Sequence, residues 1–159
     1  MEFPNDYGCE VYEGDAKTIG AAVSIGNWQA LRNGTAAHSF VGFPQFISGH
    51  YFDFLGTAVA SILGKTDAEV RVGDFPLLAG EDGHWGAGIL GIEWVAAAAA
   101  IPAAKITALG REWRENYHRQ KYVEEEDWPE AELLDPLYRL TLLCAEATRR
   151  RSDVVLLVL

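Results

Sequence analysis

The chain has 159 residues, of which 49% are hydrophobic and 23% are charged. This composition is typical of a globular protein and excludes a disordered tail or a disulfide scaffold, and the length predicts a single domain over residues 1–159. The formal net charge of -10 would repel nucleic acid and an anionic membrane surface, so we expect neither as a direct partner. An acidic field instead favours encounter with a basic protein partner.

The cysteines and the first residues predict a cytoplasmic protein. Cys9 and Cys144 have no CxxC motif or Cys/His cluster beside them, which fits a reducing compartment. Residues 1–15 contain five acidic and no basic residues, so they lack the basic region and the apolar stretch of a secretory signal. Two structures stay open for this acidic leader, a strand or an ordered arm.

Two elements are predicted in the first third of the chain. The sequence TIGAAVSIG, residues 18–26, is partly β-branched and bounded by glycines, which predicts a strand ending in a turn at Gly26 and Asn27. Pro44 suits the first turn of a helix, and Gly64 suits its end. Apolar residues recur at helical spacing between them: Tyr51, Leu55, Val59 and either Ile62 or Leu63.

The middle of the chain predicts a short strand, a loop and two helices. The strand covers Glu69–Val72, and the glycines of EDGHWGAG, residues 81–88, indicate the loop. Residues 86–104 approach membrane-spanning length, but Glu93 and Pro102 favour a buried or half-buried helix that the proline kinks or ends. The apolar face of this helix comprises Leu90, Trp94, Ala97 or Ala98, and Ile101. The next helix is predicted to bury Ile106, Leu109, Trp113 and Tyr117.

The last third begins with an acidic segment and ends with a strand. VEEEDWPEAELLD, residues 123–135, predicts a surface loop that leads into a helix. That helix buries Leu137, Leu140, Cys144 and Ala147, and three arginines, Arg149, Arg150 and Arg151, suit the dipole of its last turn. The run VVLLVL, residues 154–159, predicts a buried strand, for which TIGAAVSI is the expected partner.

Together these elements predict a small layered α/β sandwich. Its sheet includes the N-terminal and C-terminal strands, and about three to four helices pack against it.

The sequence contains no recognisable catalytic, phosphate-binding or metal-binding motif. It has no GxSxG elbow and no glycine-rich phosphate loop, and His50 and Asp53 form its nearest pair of potential ligands without a second pair. We therefore expect a protein that is not an enzyme and that uses no cofactor or metal. Two alternatives stay open: a small hydrolase-like enzyme with a pocket near His50, Asp53 and Glu93, and a structural or oligomerisation module.

The order of several segments resembles small bacterial immunity proteins of polymorphic toxin systems, of the Immunity protein 70 type. These segments are SFVGFPQFISGHYFDFLGTAVASILG, then FPLL, then GILGIEWVAAAAAI, and last DPLYRLTLLCAEATRRRSDVVLLVL, which together span roughly residues 38–159. The resemblance implies a cytoplasmic protein that neutralises a cognate toxin domain by occlusion. It implies no catalytic residue.

The acidic segment is the predicted partner-binding surface. An aromatic residue surrounded by charge resembles an interface hot spot, and the acidic residues would steer a basic partner. The predicted contact residues are Glu124, Glu125, Glu126, Asp127, Trp128, Glu130 and Glu132.

Overall fold

The computed structural model describes residues 2–4, 6–45, 47, 51–70, 74–121 and 130–159. These residues form five strands and six α-helices, so the predicted α/β layered sandwich is confirmed, with more helices than expected. The elements in chain order are β1 (Cys9–Gly14), α1 (Ala16–Ser24), α2 (Trp28–Arg32), β2 (Ser39–Phe43), α3 (Tyr51–Leu63), β3 (Asp74–Ala79), β4 (Gly86–Leu90), α4 (Ile92–Ala99), α5 (Ile106–Lys121), α6 (Glu130–Arg150) and β5 (Asp153–Val158). Two 3₁₀ turns cover Asp67–Val70 and Ala103–Lys105.

The strands form one antiparallel sheet in the order β2-β1-β5-β4-β3. The predicted terminal strand is confirmed as β5, which lies at the centre of the sheet. Its predicted partner was wrong, because β5 pairs with β1 on one side and β4 on the other. The acidic leader supplies that neighbour, since β1 comprises six of its residues, all of them buried.

Residues 18–24 lie in helix α1 and not in the predicted strand. Asp15 caps the helix by accepting hydrogen bonds from the Thr18 amide and hydroxyl, at 2.9 and 2.8 Å. The hydrogen bond from the Thr18 amide lowers the pKa of the Asp15 carboxyl. Ile19, Ala22 and Val23 follow at helical spacing and are buried. The β-branched residues and glycines suggested a strand, but capping and burial determine a helix here.

Four helices cover one face of the sheet and form the larger core. Phe43 of β2 packs edge-on against Phe52 of α3 and Trp113 of α5, with ring centroids 5.2 and 6.0 Å apart. The Trp113 indole donates a hydrogen bond of 2.8 Å to the Tyr51 carbonyl, which anchors the start of α3. The apolar stripes predicted for α3 to α6 face this core, which contains Leu55, Val59, Trp94, Leu109, Leu137, Leu140, Cys144 and Ala147.

Helices α1 and α2 cover the opposite face with a smaller core. Tyr12, Val155 and Leu157 of the central strands pack there against apolar residues of both helices. Phe3 lies between Trp28 and Trp85, with both pairs of ring centroids 5.2 Å apart. The N-terminal residues therefore connect α2 with the β3–β4 hairpin.

Three further predictions needed correction. The helix predicted from Pro44 is described as Tyr51–Leu63; Pro44 and Gln45 are not helical and follow directly on β2, while residues 46 and 48–50 lie outside the described part of the chain. Residues 69–70 of the predicted strand lie in a 3₁₀ turn, while residues 71–72 lie outside the described part of the chain. The loop predicted for EDGHWGAG gives way to strand β4 at Gly86, where small residues pair with β5.

Helix α6 ends in a Schellman motif that carries an arginine where glycine is usual. The Ser152 amide donates to the Ala147 carbonyl at 3.0 Å, and Arg151 has φ of 55°. A left-handed conformation costs an ordinary residue about 1–2 kcal/mol relative to glycine. Arg151 thus adopts a backbone conformation that glycine would adopt with less strain.

No single helix among the described residues has the length and apolar character needed to cross a bilayer. The segments Ile92–Ala99 and Ala103–Arg119 meet that test only as a pair, and they bend by 93° at the break between them.

We predict that Leu157→Ala lowers the free energy of unfolding by about 2–5 kcal/mol, because it leaves a cavity beside the central strand. Leu157 is fully buried, whereas Leu142 on α6 is 49% exposed. Leu142→Ala is therefore the matched control, with an expected change below about 0.5 kcal/mol. Denaturant titration measures both, and equal losses would contradict the central placement of β5.

Candidate functional site

The structure describes only the last two residues of the predicted partner-binding surface, Glu130 and Glu132. Glu124, Glu125, Glu126, Asp127 and Trp128 lie outside the described residues. Glu130 and Glu132 lie in the first turn of α6, where negative charge interacts favourably with the helix dipole. The part of this surface that the structure describes therefore belongs to α6.

Glu130 faces the neighbouring helix α5. One carboxylate oxygen lies 3.5 Å from Arg111 Nε and the other lies 4.0 Å from Arg114 Nη1. These residues belong to a polar cavity of about 340 Å³, lined also by Glu115, His118 and Arg119. Glu130 thus helps attach the start of α6 to α5, and part of its charge is already balanced within the chain.

The exposed face of α6 combines acidic and apolar side chains. Glu132 and Asp135 are exposed and form no ion pair with any described residue. Tyr138 and Leu142 follow them, with exposed fractions of 41% and 49%. The spacing of Asp135, Tyr138 and Leu142 places these three on one stripe of the helix, with Glu132 beside it. We call Glu132, Asp135, Tyr138 and Leu142 the α6 face.

Sequence reasoning missed the apolar half of the α6 face. The helical spacing of Leu137, Leu140 and Cys144 correctly identified the buried stripe, and the same periodicity leaves Tyr138 and Leu142 on the opposite side. Two large apolar residues outside the buried stripe were the available signal. Exposed single apolar residues are common, so this signal gains meaning only when the structure shows both together beside unpaired acids.

Of the three residues of the enzyme pocket considered as an alternative, the structure describes Asp53 and Glu93. His50 lies outside the described part of the chain. Asp53 and Glu93 are exposed in the first turns of α3 and α4, positions that suit a carboxylate without any catalytic role. A cavity of about 520 Å³ lies beside the start of α4, but Ile92, Val95 and Ala96 line it there. Glu93 is absent from its lining.

No group of three or more His, Cys, Asp and Glu side chains could hold a metal ion within the residues that the structure describes.

Glu10 is a fully buried carboxylate on the α1–α2 side of β1. It accepts a hydrogen bond of 2.7 Å from the Tyr12 hydroxyl and pairs with Arg32 of α2. The Arg32 guanidinium also bonds Asp6 at 3.0 Å and lies 5.5 and 5.4 Å from the ring centroids of Tyr7 and Phe40. Burial, together with the Glu10 charge, raises the pKa of Tyr12. The arrangement holds the N-terminal residues against α2.

Glu13 is the second fully buried carboxylate, on the opposite face of β1. The Ser152 hydroxyl donates to it at 2.7 Å and Arg150 at 3.3 Å, so the end of α6 satisfies its charge. A buried carboxylate can belong to an active site when it lines a cavity that a substrate could enter. None of the three cavities described in this part of the chain includes Glu10 or Glu13, which favours a structural role.

The two cysteines are buried thiols. Burial raises the pKa of Cys9 to about 12, and its Sγ donates to the Ile47 carbonyl at 3.1 Å. Burial also raises the pKa of Cys144. Because the thiolate is the reactive form, neither residue is activated as a nucleophile.

We predict that Arg32→Ala lowers the free energy of unfolding by about 3–5 kcal/mol, because it leaves Glu10 buried without its cationic partner. Adding Glu10→Gln in the same chain should restore part of that loss, since the neutral amide removes the unpaired charge. Arg149→Ala, which removes a surface pair with Glu146, serves as the control and should change stability little. A double variant no more stable than Arg32→Ala would contradict this account.

We also predict that both cysteines resist alkylation by iodoacetamide at about pH 8 until the protein unfolds. Mass spectrometry of the native and the denatured chain measures the number of modified thiols. Fast labelling of the native protein would show that one thiol is accessible and ionised.

Comparison with protein-family models, with curated proteins and with solved structures finds no match to this chain. The resemblance to the immunity proteins stays a prediction.

Proposed function

We propose that the protein is an immunity protein of a polymorphic toxin system, which binds a basic toxin domain and neutralises it by occlusion. The contact surface comprises the acidic segment 124–128 and the α6 face that follows it. Binding takes place in the cytoplasm, where a toxin delivered into the cell would act, and it requires no catalytic group and no cofactor.

The α6 face is the observation that carries this proposal. Tyr138 and Leu142 are two of the four exposed large hydrophobic residues among those described, and they lie on the same helix stripe. Glu132 and Asp135 continue the face towards the start of the helix and have no ion-pair partner among the described residues. Apolar anchors beside charged residues are typical of an interface hot spot and its rim.

The charge around the α6 face supports a basic partner. Seven acidic residues occur within residues 124–135, and no basic residue occurs between Lys121 and Arg139. Such a local field increases the association rate of a positively charged surface, and salt screens it over a Debye length of about 8 Å. The charge therefore acts mainly on association, while the apolar anchors act mainly on dissociation.

We predict that Tyr138→Ala combined with Leu142→Ala weakens toxin binding by about 2–4 kcal/mol through faster dissociation. Replacing Glu132 and Asp135 by their amides should instead slow association, and this effect should shrink as salt increases. Ile25→Ala is the matched control, because Ile25 is 77% exposed at the end of α1, on the other side of the sheet. Surface plasmon resonance with the toxin domain identified by co-purification measures both rates.

The acidic segment can be tested in the same assay. Replacing Glu124, Glu125, Glu126 and Asp127 by their amides should slow association, and Trp128→Ala should accelerate dissociation. Co-expression with the toxin domain measures neutralisation, and loss of protection should follow loss of affinity across the variants. Unchanged rates for all these variants at low and at high salt would place the interface elsewhere. A chain that protects no cell from that toxin would refute the immunity role.

A further inference from the structure

A largely aliphatic cavity lies between the start of α4 and the end of α6. Its volume is about 520 Å³, and its apolar lining includes Leu90, Ile92, Val95, Ala96, Ala147 and Val154. Small-molecule pockets typically measure about 300–1,000 Å³ and are mostly apolar with a few polar groups. Ile92 is 83% exposed beside this space, so an apolar side chain there meets solvent where a ligand could cover it.

Arg151 lines the cavity and forms no ion pair with any described residue. Of the three consecutive arginines, Arg149 pairs with Glu146 at 2.7 Å, and Arg150 lies 3.3 Å from both Glu13 and Glu146. Arg151 is exposed and forms no ion pair within the part of the chain that the structure describes. Its guanidinium is thus available to an anion in or beside the cavity.

The backbone at Arg151 adds a second observation. Its φ of 55° lies in the left-handed region, where glycine would fit without strain. Strained residues of this kind cluster at ligand-binding sites, because the surrounding structure must hold them in place. Here the strained residue is also the one that brings a positive charge to an apolar cavity.

The start of α4 lies beside the same cavity, and its first amides have no side-chain cap. Gly91 is the N-cap and offers no side chain to bond the first amides of the helix. Ile92, the first helical residue, lines the cavity. Uncapped amides at a helix start favour a negatively charged group. The exposed Glu93 in the same turn already supplies one, so Arg151 is the main attraction for an anionic ligand.

A carboxylate in the cavity lining limits the charge of the ligand. Asp153 also lines the cavity and accepts the Ala16 amide at 3.0 Å. Its negative charge would repel a doubly charged phosphate more than a singly charged carboxylate. A carboxylate also matches the two parallel donors of a guanidinium.

We propose that this cavity binds a small amphipathic carboxylate, with its aliphatic chain against the apolar lining and its carboxylate on Arg151. The site shares no residue with the α6 face. Leu142, the last residue of that face, and Ala147, which lines the cavity, are five residues apart, about 7.5 Å along the helix axis at about 1.5 Å per residue, and Leu142 is exposed whereas Ala147 is buried.

Isothermal titration calorimetry with decanoate and decanol tests the proposal. Decanoate should bind at least about tenfold more tightly than decanol, because only the carboxylate forms charge-assisted hydrogen bonds with Arg151. In the series from hexanoate to decanoate, each added methylene should improve affinity about fourfold while the cavity fills.

Three variants identify the groups responsible. Arg151→Gly suits the left-handed backbone, so the protein should stay folded while decanoate binding falls to the level of decanol. Arg149→Gln removes a neighbouring exposed arginine that does not line the cavity, so decanoate binding should not change. Ala96→Phe places a larger side chain at an exposed lining position and should weaken both ligands.

Three results would overturn the proposal. The first is an absence of decanoate binding at millimolar concentration, and the second is unchanged decanoate binding by Arg151→Gly. The third is unchanged binding of both ligands by Ala96→Phe, which would indicate adsorption to the surface. Toxin binding by Arg151→Gly should stay normal in every case, so failure of this site and failure of the immunity role remain distinguishable.

Discussion

The buried strand β1 imposes the constraint on which the rest of the structure depends. It pairs with β5 along its whole length and carries two fully buried carboxylates, Glu10 and Glu13, that point to opposite faces of the sheet. A buried carboxylate is tolerated only with charged or hydrogen-bonding partners. Arg32 supplies them from α2 on one face, and Arg150 with Ser152 supplies them from the end of α6 on the other. Both helical layers are thereby tied to one strand.

Periodicity predicted the elements that bury one continuous stripe. Helices α4, α5 and α6 follow from apolar spacing, because each has many residues against one core. Strand β5 follows from an unbroken apolar run, because its residues are buried on both faces of the sheet. Helix α1 was mistaken for a strand because its nine residues are mostly small or β-branched, and the Asp15 cap was overlooked. Strand β4 was missed because Gly86, Ala87 and Gly88 lack strand-forming side chains and pair only through their backbone.

The candidate sites show a different limit of sequence reasoning. Acidic residues around Glu130 are visible in the sequence, but the ion pairs of Glu130 with Arg111 and Arg114 depend on the packing of α5 against α6. The same holds for the three arginines that end α6. The sequence predicts that all three interact with the helix dipole. In the structure, Arg149 and Arg150 form ion pairs with carboxylates, and Arg151 lies beside an apolar cavity. Such distinctions arise from tertiary contacts and not from residue type.

The central pairing of β1 with β5 also affects how the chain folds. These strands come from opposite ends of the described sequence, so almost the whole chain must be closed into a loop before the middle of the sheet can form. Contacts of such long range slow folding relative to local helical contacts. During synthesis on the ribosome, α3 to α5 can pack together before β5 is available to fill its place in the sheet between β1 and β4. Until β5 is synthesised, the edges of both strands stay open to pairing with other chains, so this stage of folding is the one most exposed to aggregation.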